Sequence, residues 1–109
     1  MKTRVMAIVI AALVAGSWTT LGLAQDERAR ILGDTCAGCH GTDGASPGPI
    51  ATLEGLSSEY IAAAMYAFRE DRRPATVMNR IAKGFTDEEI ELLAQYFAVR
   101  GANPADGTQ

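Results

Sequence analysis

Apolar residues along the chain fall into a continuous run near the start and, later, into stripes with helical spacing. Residues 5–16, VMAIVIAALVAG, are apolar almost without interruption, and the basic MKTR precedes them. Over 26–38, DERARILGDTCAG, Ile31, Leu32 and Thr35 recur at roughly helical spacing with acids at the start, which predicts a first helix. Residues 41–56 are rich in glycine and include Pro47 and Pro49, so they read as a loop. Ser57 or Ser58 then caps a second helix, SSEYIAAAMYAFRED, whose apolar face runs Ile61, Ala64, Met65, Phe68. Pro74 ends one element, and Gly84 ends a short helix over Thr76–Lys83. Thr86 and Glu89 form a T-x-x-E capping box for a last helix, with Ile90, Leu93, Ala94 and Phe97 on one face and Gly101 as its stop. Residues 102–109 are expected to fray. No stretch alternates with period two, so the expected fold class is all-α.

The apolar head changes the picture of where the chain works. A positive start, a short apolar run and Gly22 and Ala24 at the −3 and −1 positions of a small-residue cleavage site read as a signal peptide cut after Ala24. The alternative, a retained anchor, is opposed by the short apolar run and by Ser17, Thr19 and Thr20. The expected organisation is therefore a signal peptide, 1–24, and one exported domain, 25–109, with no membrane span after cleavage and a periplasmic address. Cleavage removes Lys2 and Arg4 and no acid, so 10 basic and 13 acidic residues become 8 and 13, and the formal charge moves from −3 to −5. An acidic domain offers no basic patch for nucleic acid. It can be steered toward a basic partner surface. A domain this small is near the limit for a lone apolar core, and a staple is expected.

That staple is read from TCAGCHGTDG, residues 35–44, which holds both cysteines of the chain and its one histidine. C-x-x-C-H is the attachment sequence for c-type haem. On a helical turn Cys36 and Cys39 share a face, so both thiols can add across the two vinyl groups of one porphyrin. His40 then lies under the iron as the proximal ligand. The rivals are weaker. A Cys36–Cys39 disulfide suits an exported protein, a thioredoxin-like dithiol wants a βαβ setting, and structural zinc wants four ligands. For the other face of the iron a second histidine does not exist, leaving Met65, Met78, the mature chain's single lysine Lys83, or an open site. Met65 sits mid-helix on an apolar stripe, where methionine ordinarily packs. Lys83 must first lose its proton. Met78 lies in a segment able to fold across the far side and is the favoured distal ligand. The backbone carbonyl of Pro49 is the expected acceptor for the second imidazole nitrogen.

The remaining features have plainer readings. Tyr60, Tyr66, Phe68, Phe85, Tyr96 and Phe97 are expected to pack against the haem or between helices. Gly33 lets the first helix approach the last near Tyr96 or Phe97. REDRR, residues 69–73, is a solvated charged turn, with one arginine able to pair with a haem propionate.

TCAGCHGTDG, the GP at 48–49, LSSEYIAAAMYAFRE and above all ATVMNRIAKGFTDEEIELLAQYFA resemble the cytochrome subunit of flavocytochrome c sulfide dehydrogenase, over roughly Ile31 to Val99. The resemblance implies a class I cytochrome c fold with helices packed around one covalent haem c. It implies distal ligation by the methionine of M-x-R-I-A-K-G, which is Met78. It also implies a FAD-containing flavoprotein subunit, which oxidises sulfide, as the electron donor. Many relatives carry two haem domains in tandem, whereas this chain has one haem motif. A free-standing diffusible carrier between other redox proteins is therefore the alternative. In both cases the chain is expected to transfer electrons through the haem edge and not to be a catalyst itself.

Overall fold

The computed structural model describes residues 22–100. The first 21 residues, which include most of the expected signal peptide, lie outside the described residues, as do Gly101 and the 102–109 tail. Among the described residues there are helices, turns and bends and no strand, as an all-α reading requires. Helix α1 runs through residues 22–40, two residues beyond the expected end, so the whole C-x-x-C-H motif is helical. A single 3-10 turn follows at Thr42–Gly44. Helix α2 is Ser58–Arg69, α3 is Met78–Ile81 with a 3-10 turn at Ala82–Gly84, and α4 is Asp87–Ala98.

The two well-formed later helices begin where their caps dictate. Ser57 takes the N-cap of α2, its hydroxyl accepting from Tyr60 N at 3.2 Å. For α4 the capping box closes in both directions. Thr86 Oγ1 accepts from Glu89 N at 3.2 Å, and Glu89 Oε2 accepts from Thr86 N at 3.0 Å. Three acids in the first turn of α4 complement the positive end of the helix.

The core is the seam between α2 and α4. Ile61, Ala62 and Met65 come from α2, and Ile90, Leu93, Ala94, Tyr96 and Phe97 from α4. The stripe on α4 is the one its spacing predicts. That on α2 is rotated by about one residue, since Ala62 is buried and Ala64 only half-buried. The seam faces α4, while Phe68 drifts toward the charged turn, where Arg73 stacks 4.9 Å over its ring. Tyr66 reinforces the seam by donating to Glu91 Oε1 at 2.9 Å.

Helix α1 meets α4 through a close approach. Gly33 is buried, and a Cβ placed there would overlap the Tyr96 ring. The residue at this crossing must lack a side chain. Arg28 adds two exposed ion pairs to the start of α4, to Glu88 at 3.2 Å and Glu89 at 3.0 Å. At the other end of α4, Arg100 lies 3.4 Å over Tyr96 and donates to Asp43 Oδ1 at 2.8 Å. The loop after α1 is thereby pinned to the end of the last helix.

The segment between α2 and α4 is thinner than expected. Helix is confined to Met78–Ile81, none of whose residues is buried. Val77 precedes it at φ −138° with no side-chain cap, and Thr76 and Val77 form a bend, so the helix starts two residues after the expected Thr76.

Candidate functional site

The last turn of α1 brings Cys36, Cys39 and His40 together. The cysteines stand three apart on one helix, so they share a face. Cys36 is half-buried and Cys39 exposed, and no disulfide joins them. Burial pushes the Cys36 thiol up, with Thr35 opposing through its hydroxyl; its sulfur lies 3.7 Å from Leu32 O. The helix stops immediately after His40 because Gly41, at φ 82°, turns the chain into a left-handed conformation.

His40 is oriented by the loop that returns past it. Its Nδ1 lies 2.6 Å from Ala51 O. A carbonyl only accepts, so Nδ1 carries the proton and Nε2 keeps its lone pair for a metal. The acceptor is two residues beyond Pro49, the expected one. The loop's own bonds explain the shift. Gly44 O accepts from Leu53 N at 2.8 Å and Glu54 N at 3.3 Å, and Thr52 Oγ1 accepts from Ser46 N at 3.2 Å. The loop is thus folded back on itself, and its point of passage beside the ring falls at Ala51. Gly44 is itself required, since a Cβ there would stand 2.8 Å from Phe97.

The donors available for an opposite position separate clearly. Met65 is 8% exposed within the α2–α4 core. The Lys83 ammonium is bonded to Asp71 Oδ2 at 2.6 Å. Met78 opens α3 half-buried at the margin of the apolar cluster, as Cys36 also does. Three arginines of 69–73 are engaged elsewhere. Arg69 bonds Phe85 O and Asp87, Arg72 bonds Glu70, and Arg73 lies over Tyr60 and Phe68.

The donor set suits an iron porphyrin held by thioethers. Two thiols on one helical face, an imidazole with one nitrogen already hydrogen-bonded, and a half-buried thioether are the soft and borderline donors that haem iron and its vinyl groups take. Structural zinc finds no match, because no group of three or more His, Cys, Asp or Glu side chains converges among the described residues. Ala51, Asp71 and Arg100 carried no signal of their own in the sequence, since each acts on a residue 11 to 57 positions away.

The cytochrome c family model matches residues 27–98. The chain is 51% identical over 72 residues to the cytochrome subunit of sulfide dehydrogenase from Chlorobaculum tepidum, a match covering 66% of each chain. It therefore spans just under two thirds of that relative. Cytochrome c-554(548) from Halomonas halodenitrificans is 38% identical over 68 residues, 59% of this chain and 82% of that one. Cytochrome c-553 from Desulfomicrobium norvegicum is 36% identical over 64 residues, 56% of this chain and 80% of that one.

Proposed function

The chain belongs to the cytochrome c family, whose members carry a covalently bound haem c, and from that premise we propose that it is a periplasmic one-electron carrier that accepts electrons from the flavoprotein subunit of a sulfide dehydrogenase. Residues 1–24 direct export and 25–109 form the monohaem domain. When bound, the haem supplies an Fe(III)/Fe(II) couple and an edge through which an electron passes. Cys36 and Cys39 anchor the ring from one helical face. His40 would hold the iron through Nε2, while Ala51 O accepts from Nδ1 and fixes the tautomer and the ring plane. Met78 would hold the iron through its thioether, a ligand that favours the ferrous state relative to a second imidazole. His40 and Met78 would both be held by the haem iron, which would leave the chain to pass electrons and its partner to carry out the chemistry on substrate.

The observation that carries this reading is the His40 Nδ1 to Ala51 contact at 2.6 Å on the turn that bears both thiols. The choice of Met78 is supported by the burial of Met65 and the ion pair of Lys83. Met78→Ala is expected to abolish the near-infrared charge-transfer band of thioether-ligated ferric haem and to lower the reduction potential, while Met65→Ala keeps the band. The reverse pattern refutes the assignment. The flavoprotein partner is supported by the 51% identity to a sulfide dehydrogenase cytochrome subunit. Co-expression of the two chains is expected to yield one complex on size exclusion, and separate elution counts against it.

A second reading, a diffusible carrier, is favoured by the 82% coverage of cytochrome c-554(548) and by the acidic charge. It requires weak encounters whose rates fall with ionic strength. Electron-transfer rates indifferent to salt, with one tight partner, reject it.

A further inference from the structure

Helix α2 ends in a conformation its sequence does not invite. Asp71 N donates to Phe68 O at 3.2 Å and Arg72 N to Ala67 O at 2.8 Å, the pair of bonds that closes a helix around one left-handed residue. That residue is Asp71, at φ 56°. Glycine adopts this region without cost, and aspartate does so with some strain. A side chain kept at such a position invites the question of what it holds.

The Asp71 carboxylate holds two residues across the loop. Lys83 Nζ donates to Oδ2 at 2.6 Å, and Asn79 Nδ2 donates to Oδ1 at 3.4 Å. Asn79 is adjacent to Met78 in sequence, and Lys83 lies in the 3-10 turn that follows α3. One carboxylate thus ties both parts of 78–84 back to the end of α2. Asn79 Oδ1 is buried without a partner. Flipping the amide would turn its oxygen toward a carboxylate, so Nδ2 belongs toward Asp71. Within the segment only Ala82, in the turn after α3, is buried; α3 itself has four residues, none of them buried, and no side-chain cap. Such a segment opens locally more readily than the core.

We infer that Asp71 is a positioning residue that clasps the Met78 turn closed and slows the departure of the Met78 thioether. The inference rests on Met78 being the distal ligand. The groups of the clasp are about half exposed, so its effect falls on a local opening and is modest. A contact of this kind changes a rate roughly two- to fivefold.

The test uses the ferric haem-loaded protein and imidazole as a competing ligand. At saturating imidazole the binding rate is limited by Met78 leaving, and the loss of the near-infrared band reports its departure. Asp71→Gly relieves the backbone and removes the carboxylate. It is expected to raise the limiting rate roughly two- to fivefold with no fall in the thermal midpoint. Lys83→Gln is expected to do the same, and the double variant to add little to either, as two partners in one contact should. A rate at or below wild type in Asp71→Gly, strictly additive effects, or a rate rise that follows a lower thermal midpoint overturns the clasp. If wild-type protein lacks the thioether band, the Met78 assignment falls and the clasp with it. If the band is present and the variants are silent, the clasp alone falls.

Discussion

The two sides of the site are held in different ways. On the side of Cys36, Cys39 and His40 the donors are consecutive on one helix. That helix crosses α4 at Gly33, is ion-paired to it through Arg28, and hands its chain to a loop pinned by Arg100. On the side of Met78, the proposed second ligand, the residue rides on four helical residues none of which is buried, tied by Asp71, Lys83 and Asn79. The first arrangement is carried by backbone path and packing. The second is carried by a few side chains at the surface. A haem held as proposed above would have one face fixed by backbone path and packing and the other set by a small number of exposed contacts.

Substitutions that act on packing should affect stability strongly on one side and weakly on the other. Met65→Ala opens a cavity in the α2–α4 seam and is expected to cost about 2–5 kcal/mol of unfolding free energy in denaturant melts. Met78→Leu, which keeps the apolar volume, should cost far less packing energy, because the side chain there is only half-buried. Equal losses would break the contrast. Gly33→Ala forces a methyl group into the Tyr96 ring. It should lower stability by about 1–3 kcal/mol, while Gly84→Ala, where no heavy atom lies within 4 Å, serves as its control. Thr86→Ala removes the forward half of the capping box and is expected to cost about 1 kcal/mol.

The smallest effect is in pH. The Glu89 carboxyl is held below the ordinary glutamate range, first by the Thr86 backbone N–H and then by Arg28. A group whose folded-state pKa is depressed stabilises the fold above its unfolded pKa and loses that contribution as pH falls through the folded value. Wild-type stability should therefore drop with acid in this range, and Glu89→Gln should flatten part of the drop in melts taken at successive pH values. An unchanged profile in the variant would remove Glu89 from the account.

What was legible in the sequence was local. The C-x-x-C-H spacing, the Thr86–Glu89 box and the α4 stripe each involve residues within one or two turns, where geometry follows from spacing alone. The close approach at Gly33 was also expected, and Tyr96 is the ring it meets. The rest depended on how the chain returns. Ala51 replaces Pro49 as the His40 acceptor because the loop's internal bonds set where it passes the ring. The α2 stripe turned toward α4, burying Ala62 and leaving Ala64 half-buried. The Arg28, Asp71–Lys83 and Arg100–Asp43 ion pairs join residues 12 to 61 positions apart, a distance at which no periodicity speaks.

Because the His40 proton goes to a main-chain carbonyl, no exchange of one side chain for another deletes the acceptor. Ala51 can become almost any residue and still present the same oxygen. Mutational drift at that codon is therefore silent for the imidazole, and whoever wishes to retune its basicity must change the length or the bends of the loop itself.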